Sequence, residues 1–291
     1  MFEILFEYLS MPFVRYALAV GVLIAITSSF LGVTLVLKRQ SLIGDGLSHL
    51  AFGVTCVAAA FGLTNDSLLV FPVTIAAAVI LGVKDSAKVK GDTAIAIMSV
   101  CSLAIGYLLV NLFPNSPNVS GDVCASLFGS TSILTLNGSD IWVCIVMAAA
   151  VALFFVLFYN RIFAMTFDEK FMKASGLNPK AYKLVFSVIT AIVIALSMRL
   201  VGSLLITALI VFPAISAMRL FDSYKKVSVF AVCFGAVSSF LGIIASVLAG
   251  TPVGSTIVCA DLIFFLCCVV AGKIKTLVLS RKNSSKETER L

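Results

Sequence analysis

Gly44-Asp45-Gly46-Leu47-Ser48-His49 opens an apolar run that continues to Leu63, and it holds the only histidine in the chain. On a helix, residues four apart share a face with Cβ atoms about 5–6 Å apart, so Asp45 and His49 point the same way. Ionisable side chains at membrane depth are costly; they face a bundle interior or a wet cavity and mark an ion or substrate path. A carboxylate with an imidazole is also a ligand set for borderline divalent metals. Two donors do not close a site, but assembly about a two-fold axis would gather two of each into a four-ligand N/O cluster. The competing reading makes Asp45 a helix cap and has His49 hydrogen-bond a neighbouring span.

Fewer polar groups occur farther along. Pro213 donates no amide, which frees the carbonyl near Leu209, and Ser203, Thr207 and Ser216 can line a polar path beside it. Asp261 lies midway through the last apolar run, either as a further pathway group or, protonated, bonded to hydroxyls of an adjacent helix. No Gly-x-x-x-x-Gly-Lys-Ser/Thr loop occurs, so ATP-dependent work falls to another subunit. A proton- or ion-coupled secondary transporter is the rival reading, with Asp45, His49 and Asp261 as its relay. It leaves out any internal repeat and gives no role to residues 168 to 179. A membrane enzyme would need a nucleophile or a fuller metal cluster than one histidine allows. The eight cysteines form no CxxC pair and read as small buried hydrophobes, Cys124 excepted.

These groups must be positioned by membrane helices. Of 291 residues, 60% are hydrophobic and 12% charged, too apolar for a soluble domain of this size. Runs long enough to cross a bilayer recur near 11–37, 42–63, 68–83, 93–113, 141–160, 184–199, 200–218, 227–249 and 255–272. The expected fold is an all-α polytopic bundle of about nine spans. Seven or eight remain open, because 184 to 218 is tight for two crossings and a hairpin that dips in and returns would serve. With the N-terminus outside, 19 of the 21 basic residues fall on the cytoplasmic side, leaving Arg15 and Arg199 outside. The C-terminus is then cytoplasmic, and the net charge of +7 reflects topology and contact with membrane lipid rather than nucleic acid.

Between the spans, residues 1 to 10 with Glu3 and Glu7 suit a helix lying on the outer interface, and Asp92 reads as a cap after the basic loop from Lys84. The long outer loop from Pro114 to Asp140 carries no Lys or Arg. In the inner segment, Asp168 and Glu169 open a short helix, Lys173 lies in its last turn and Gly176 stops it. It reads equally as a knob for a soluble partner, with Phe171 and Met172 exposed or half-buried, or as a plain connector. Residues 1–276 form one transmembrane domain and 277–291 a basic, polar cytoplasmic tail without fixed structure.

Gly44 to His49 after Lys38-Arg39, Asp122 to Gly129 ending Leu127-Phe128-Gly129, the Asp168 to Gly176 segment, and Arg199 through Ala214 together resemble the permease subunits of zinc/manganese/iron uptake ABC transporters. The resemblance spans nearly the whole chain, in the family's order and spacing. It implies a prokaryotic cell-membrane homodimer, two copies of an ATPase subunit beneath it and an extracytoplasmic metal-binding protein above. It also implies that Asp45 and His49 line the metal path, and that Asp168, Glu169, Phe171, Met172, Ala174 and Gly176 belong to the helix that couples to the ATPase. No cofactor is bound permanently; Zn²⁺ or Mn²⁺ is the cargo, and a four-ligand N/O set favours zinc. Two departures stand out: Phe52-Gly53-Val54 follows the histidine where the family often has a proline, and Asp261 stands where it is usually apolar.

Overall fold

The computed structural model describes residues 10–63, 66–83, 91–113 and 136–288. The expected interfacial segment with Glu3 and Glu7, the loop from Lys84, and the outer loop with Asn118, Asp122 to Gly129 and Cys124 lie outside the described residues.

All regular structure among the described residues is helical. The helices are α1 (Pro12–Leu37), α2 (Ile43–Ala60), α3 (Ser67–Val83), α4 (Gly91–Leu112), α5 (Gly138–Leu157), α6 (Tyr159–Phe167), α7 (Glu169–Ala174), α8 (Pro179–Val201), α9 (Ser203–Leu220), α10 (Tyr224–Ala249) and α11 (Val253–Thr288). Each of the nine apolar runs is a helix. Eight are long and apolar enough to cross a membrane, and the ninth, α3, is shorter. At 1.5 Å per residue even α3 reaches about 25 Å. The 184–218 stretch is not a short hairpin: α8 begins earlier than the hydropathy suggests, at Pro179, and both α8 and α9 have crossing length. Gly202 separates them with φ +93°, a backbone that an L side chain resists, so the break falls there. The helix α11 continues past the apolar stretch to Thr288.

Close approaches give the relative directions. A Cβ at Gly21 would meet Ile243 and one at Gly235 would meet Ser29, so α1 and α10 are antiparallel. Gly82 meets Ser187 while Asp66 sits beside Arg199, so α3 and α8 are antiparallel too. Gly272 lies against Arg219 and the rings of Phe212 and Phe265 are 5.8 Å apart, which makes α9 and α11 parallel. Successive crossings require this alternation. Apolar lipid supplies no hydrophobic drive between helices, so small residues at close contacts are what hold the bundle. Ser238, Gly242 and Ser246 form such a seam on α10, where a Cβ at Gly242 would come 2.8 Å from Ile257 Cα; Gly250, next in the period, instead ends the helix in left-handed geometry.

Basic residues collect at one end. There Lys183 pairs with Glu169 at 2.7 Å, Arg161 donates to the Tyr182 hydroxyl at 2.6 Å, and Lys275 donates to the Leu220 carbonyl at 2.7 Å. That last contact neutralises the negative end of α9. Phe158, Tyr159, Phe163, Phe167, Tyr182 and Tyr224 form linked ring pairs at the same end, the composition of a membrane interface. Arg15 and Arg199, the latter bonded to Ser67, lie at the other end. Of the described cysteines, only Cys56, Cys144 and Cys268 are buried. Cys101, Cys233, Cys259 and Cys267 are exposed on helix flanks, because α4, α10 and α11 turn those faces outward from a bundle whose outside is lipid rather than water.

Candidate metal-path site

The site is built on two parallel helices, α2 and α4, brought unusually close by glycine. A Cβ at Gly46 would lie 2.5 Å from Ile95 Cγ2, one at Gly53 2.6 Å from the Ser102 carbonyl oxygen, and one at Gly106 2.8 Å from Gly53 Cα. Gly46 and Gly53 are seven apart, so they lie on one face of α2, and that face is pressed against α4. The approach sets Ser99 of α4 between the two side chains singled out on α2.

Asp45 and His49 do share a face, with His49 Nδ1 3.7 Å from Asp45 Oδ2. Ser99 bridges them: its Oγ is 2.7 Å from His49 Nδ1 and donates to Asp45 Oδ2 at 3.2 Å. Ser102, one turn on, donates to the His49 carbonyl at 3.3 Å. The capping alternative for Asp45 fails, since the cap position is Leu42 and the Asp45 carboxylate is turned to α4; its other half, that His49 bonds a neighbouring span, is correct. The pair is neither sealed nor free, with side chains 33% exposed at Asp45 and 16% at His49. Among the described residues nothing hydrogen-bonds Asp45 Oδ1 or His49 Nε2, and no group of three or more His, Cys, Asp or Glu stands together. One chain therefore offers one carboxylate oxygen and one imidazole nitrogen, half of a tetrahedral set.

Sequence reasoning missed Ser99 and Ser102. Their signal was present, two hydroxyls three apart on one face of an apolar run, but which helix that face would meet is not a local property.

The other pathway candidates divide. Thr207 is carried to the first turn of α2, where a Cβ at Gly44 would lie 3.9 Å from Thr207 Cα, and its hydroxyl donates to the Ser203 carbonyl at 3.4 Å. Ser203 and Ser216 are buried with unpartnered hydroxyls. Asp261 is fully buried on α11 and does not join Asp45 and His49 in a metal-holding group. Ser238 faces it from α10, yet that hydroxyl donates to the Gly235 carbonyl at 3.3 Å and neither Asp261 oxygen has a hydrogen bond at ordinary geometry.

The segment from Asp168 is a capped unit. The Asp168 carboxylate accepts from Lys170 and Phe171 amides at 3.0 and 2.9 Å. At the far end Leu177 N–H bonds the Met172 carbonyl and Gly176 N–H the Lys173 carbonyl, a Schellman closure that needs the positive φ of Gly176, +76°. Phe171 is 63% exposed, but Met172 is 0% exposed. The expectation that both apolar residues face a partner is corrected: consecutive residues are turned by about 100° around a helix axis, so Phe171 points outward while Met172 turns inward and anchors the helix to the bundle.

The sequence profile of the ABC 3 transport family matches residues 10–272. A manganese transport system membrane protein of Listeria monocytogenes is 30% identical, covering 93% of this chain and 94% of its own. A high-affinity zinc uptake system membrane protein of Buchnera aphidicola is 28% identical, covering 86% and 93%. Among solved structures, PsaBC from Streptococcus pneumoniae in complex with Fab superposes with a TM-score of 0.79 at 28% identity, covering 92% of this chain and 95% of that one.

Proposed function

The chain belongs to the ABC 3 transport family, as a multi-pass cell-membrane subunit that is not itself an enzyme and works with a separate ATPase, and from this we propose how it passes its cargo. It is the permease of a metal importer of the manganese, zinc and iron class. In our reading two copies of the chain face each other so that Asp45 and His49 of each converge on one ion. An extracytoplasmic binding protein delivers the metal at the end holding Arg15 and Arg199. Two ATPase subunits engage the basic end through α7, with Asp168 and Gly176 shaping the helix and Phe171 presented on it.

The observation that carries this reading is the pair of open donor atoms, Asp45 Oδ1 and His49 Nε2, on a helix held rigidly by glycine packing. A path site must release what it binds, and two donors per chain give incomplete, reversible coordination rather than a structural cage. Two carboxylates and two imidazoles favour zinc over manganese, whose preference is octahedral and oxygen-rich.

The test is uptake of radioactive zinc and manganese by cells carrying the whole transporter. His49→Ala, and Asp45→Asn, which keeps shape and removes charge, should each abolish uptake while membrane abundance and ATPase association persist. Import at the parent rate by both variants would refute the assignment. Faster uptake of manganese than zinc at equal concentrations would refute the choice of metal alone.

A further inference from the structure

We propose that Ser99 is a positioning residue that holds the proton of neutral His49 on Nδ1, so that Nε2 is the nitrogen presented to metal. The inference rests on the metal-path reading of Asp45 and His49 and deepens it. Ser99 Oγ has a single proton and two neighbours, Asp45 Oδ2 at 3.2 Å and His49 Nδ1 at 2.7 Å. An ionised carboxylate can only accept, so the serine proton goes to Asp45. The serine oxygen then has only lone pairs left for the imidazole, and Nδ1 must be the donor. The opposite order, with Ser99 donating to Nδ1, would set its oxygen lone pairs against the carboxylate at 3.2 Å. The chain of donation thus runs from Nδ1–H to Ser99 and from Ser99 to Asp45, and it leaves a lone pair on Nε2.

The direct His49 to Asp45 separation of 3.7 Å is too long for a hydrogen bond, so the serine is required for the relay. Ser99 is buried and sits on a different helix, so α4 packing governs the orientation of a ligand on α2. Partners of this kind set the tautomer and orientation of a ligating histidine.

Because the chain has one histidine, labelling it with the heavy nitrogen isotope gives a nuclear magnetic resonance spectrum of this imidazole alone. In the full chain reconstituted in lipid, at a pH where the ring is neutral, the proton should be on Nδ1 and added Zn²⁺ should shift Nε2. Ser99→Ala should move the proton toward Nε2 and weaken zinc binding about 10- to 100-fold, the usual effect of losing such a partner. Ser99→Thr, which keeps the hydroxyl, should restore both. A parent ring protonated on Nε2, or a Ser99→Ala variant with unchanged spectrum and affinity, would overturn the proposal. A parent ring protonated on Nδ1 that ignores zinc, together with normal uptake by His49→Ala, would instead sink the metal-path reading and leave the proton assignment standing.

Discussion

Gly53→Ala tests whether α2 and α4 must touch for the site to work, and it alters no proposed ligand. The new methyl would stand 2.6 Å from the Ser102 carbonyl oxygen, where ordinary contact begins at 3.4 Å, so the helices must part by about 0.8 Å. The Ser102 hydroxyl is nearer still and can rotate away at the cost of its bond to the His49 carbonyl, but the carbonyl behind it is backbone and cannot. Overpacking of this kind costs about 1–3 kcal/mol, and alanine returns about 1 kcal/mol of helix propensity over glycine. The net loss is small enough for the protein to fold. Ser99 lies one turn from Ser102 on the same face and moves with it, stretching its 2.7 Å bond to His49 toward about 3.5 Å, the edge of hydrogen bonding. Metal uptake should therefore fall sharply while expression and melting temperature change little. Uptake of radioactive zinc and a thermal scan of the purified chain read the two sides. Gly138→Ala, at a glycine with nothing within 4 Å of the added carbon, is the control. Parent-level uptake by Gly53→Ala, with the control also normal, would show that the α2–α4 contact is not what orients the site.

Two further outcomes follow from the basic end. Phe171→Ala should reduce co-purification of the ATPase subunit with little effect on permease stability, whereas Met172→Ala should lower the permease's own stability by about 2–5 kcal/mol, as for other buried methionines; unchanged ATPase capture and transport by Phe171→Ala would make α7 a mere connector. In a version lacking all eight cysteines, Cys introduced at Leu63 should react with an impermeant thiol reagent from outside intact cells and Cys introduced at Lys173 should not; the reverse pattern would invert the topology.

The sequence by itself determined the helical, membrane-spanning character, the nine apolar helices, the segregation of basic residues to one end and the side-by-side placement of Asp45 and His49. Each of these is local, set by rise per residue, hydropathy and the i, i+4 repeat, so it survives without knowledge of neighbours. The capped helix from Asp168 to Gly176 was legible for the same reason, since caps and stops act within one turn. The burial of Met172 was not, because which flank of a six-residue helix turns inward depends on what lies beneath it. The sequence divided α8 from α9 near Arg199 but left a re-entrant hairpin open, because 184 to 218 alone is tight for two crossings; the start at Pro179 and the break at Gly202, with its positive φ, are what give both helices crossing length. The largest difference is at the site. Ser99 is 50 residues from His49 in the chain and reaches α2 only because glycines at positions 46, 53 and 106 let α2 and α4 approach, while Thr207, farther still, is brought there by the approach of α9 at Gly44. In one dimension Asp261 reads either as a path group or as a protonated partner of an adjacent helix's hydroxyls; in the structure α11 packs against α9 and α10, and Asp261 does not stand in a group with Asp45 and His49. Helix-on-helix packing in lipid is decided by the shape of complete faces, and a face is a property of two helices at once.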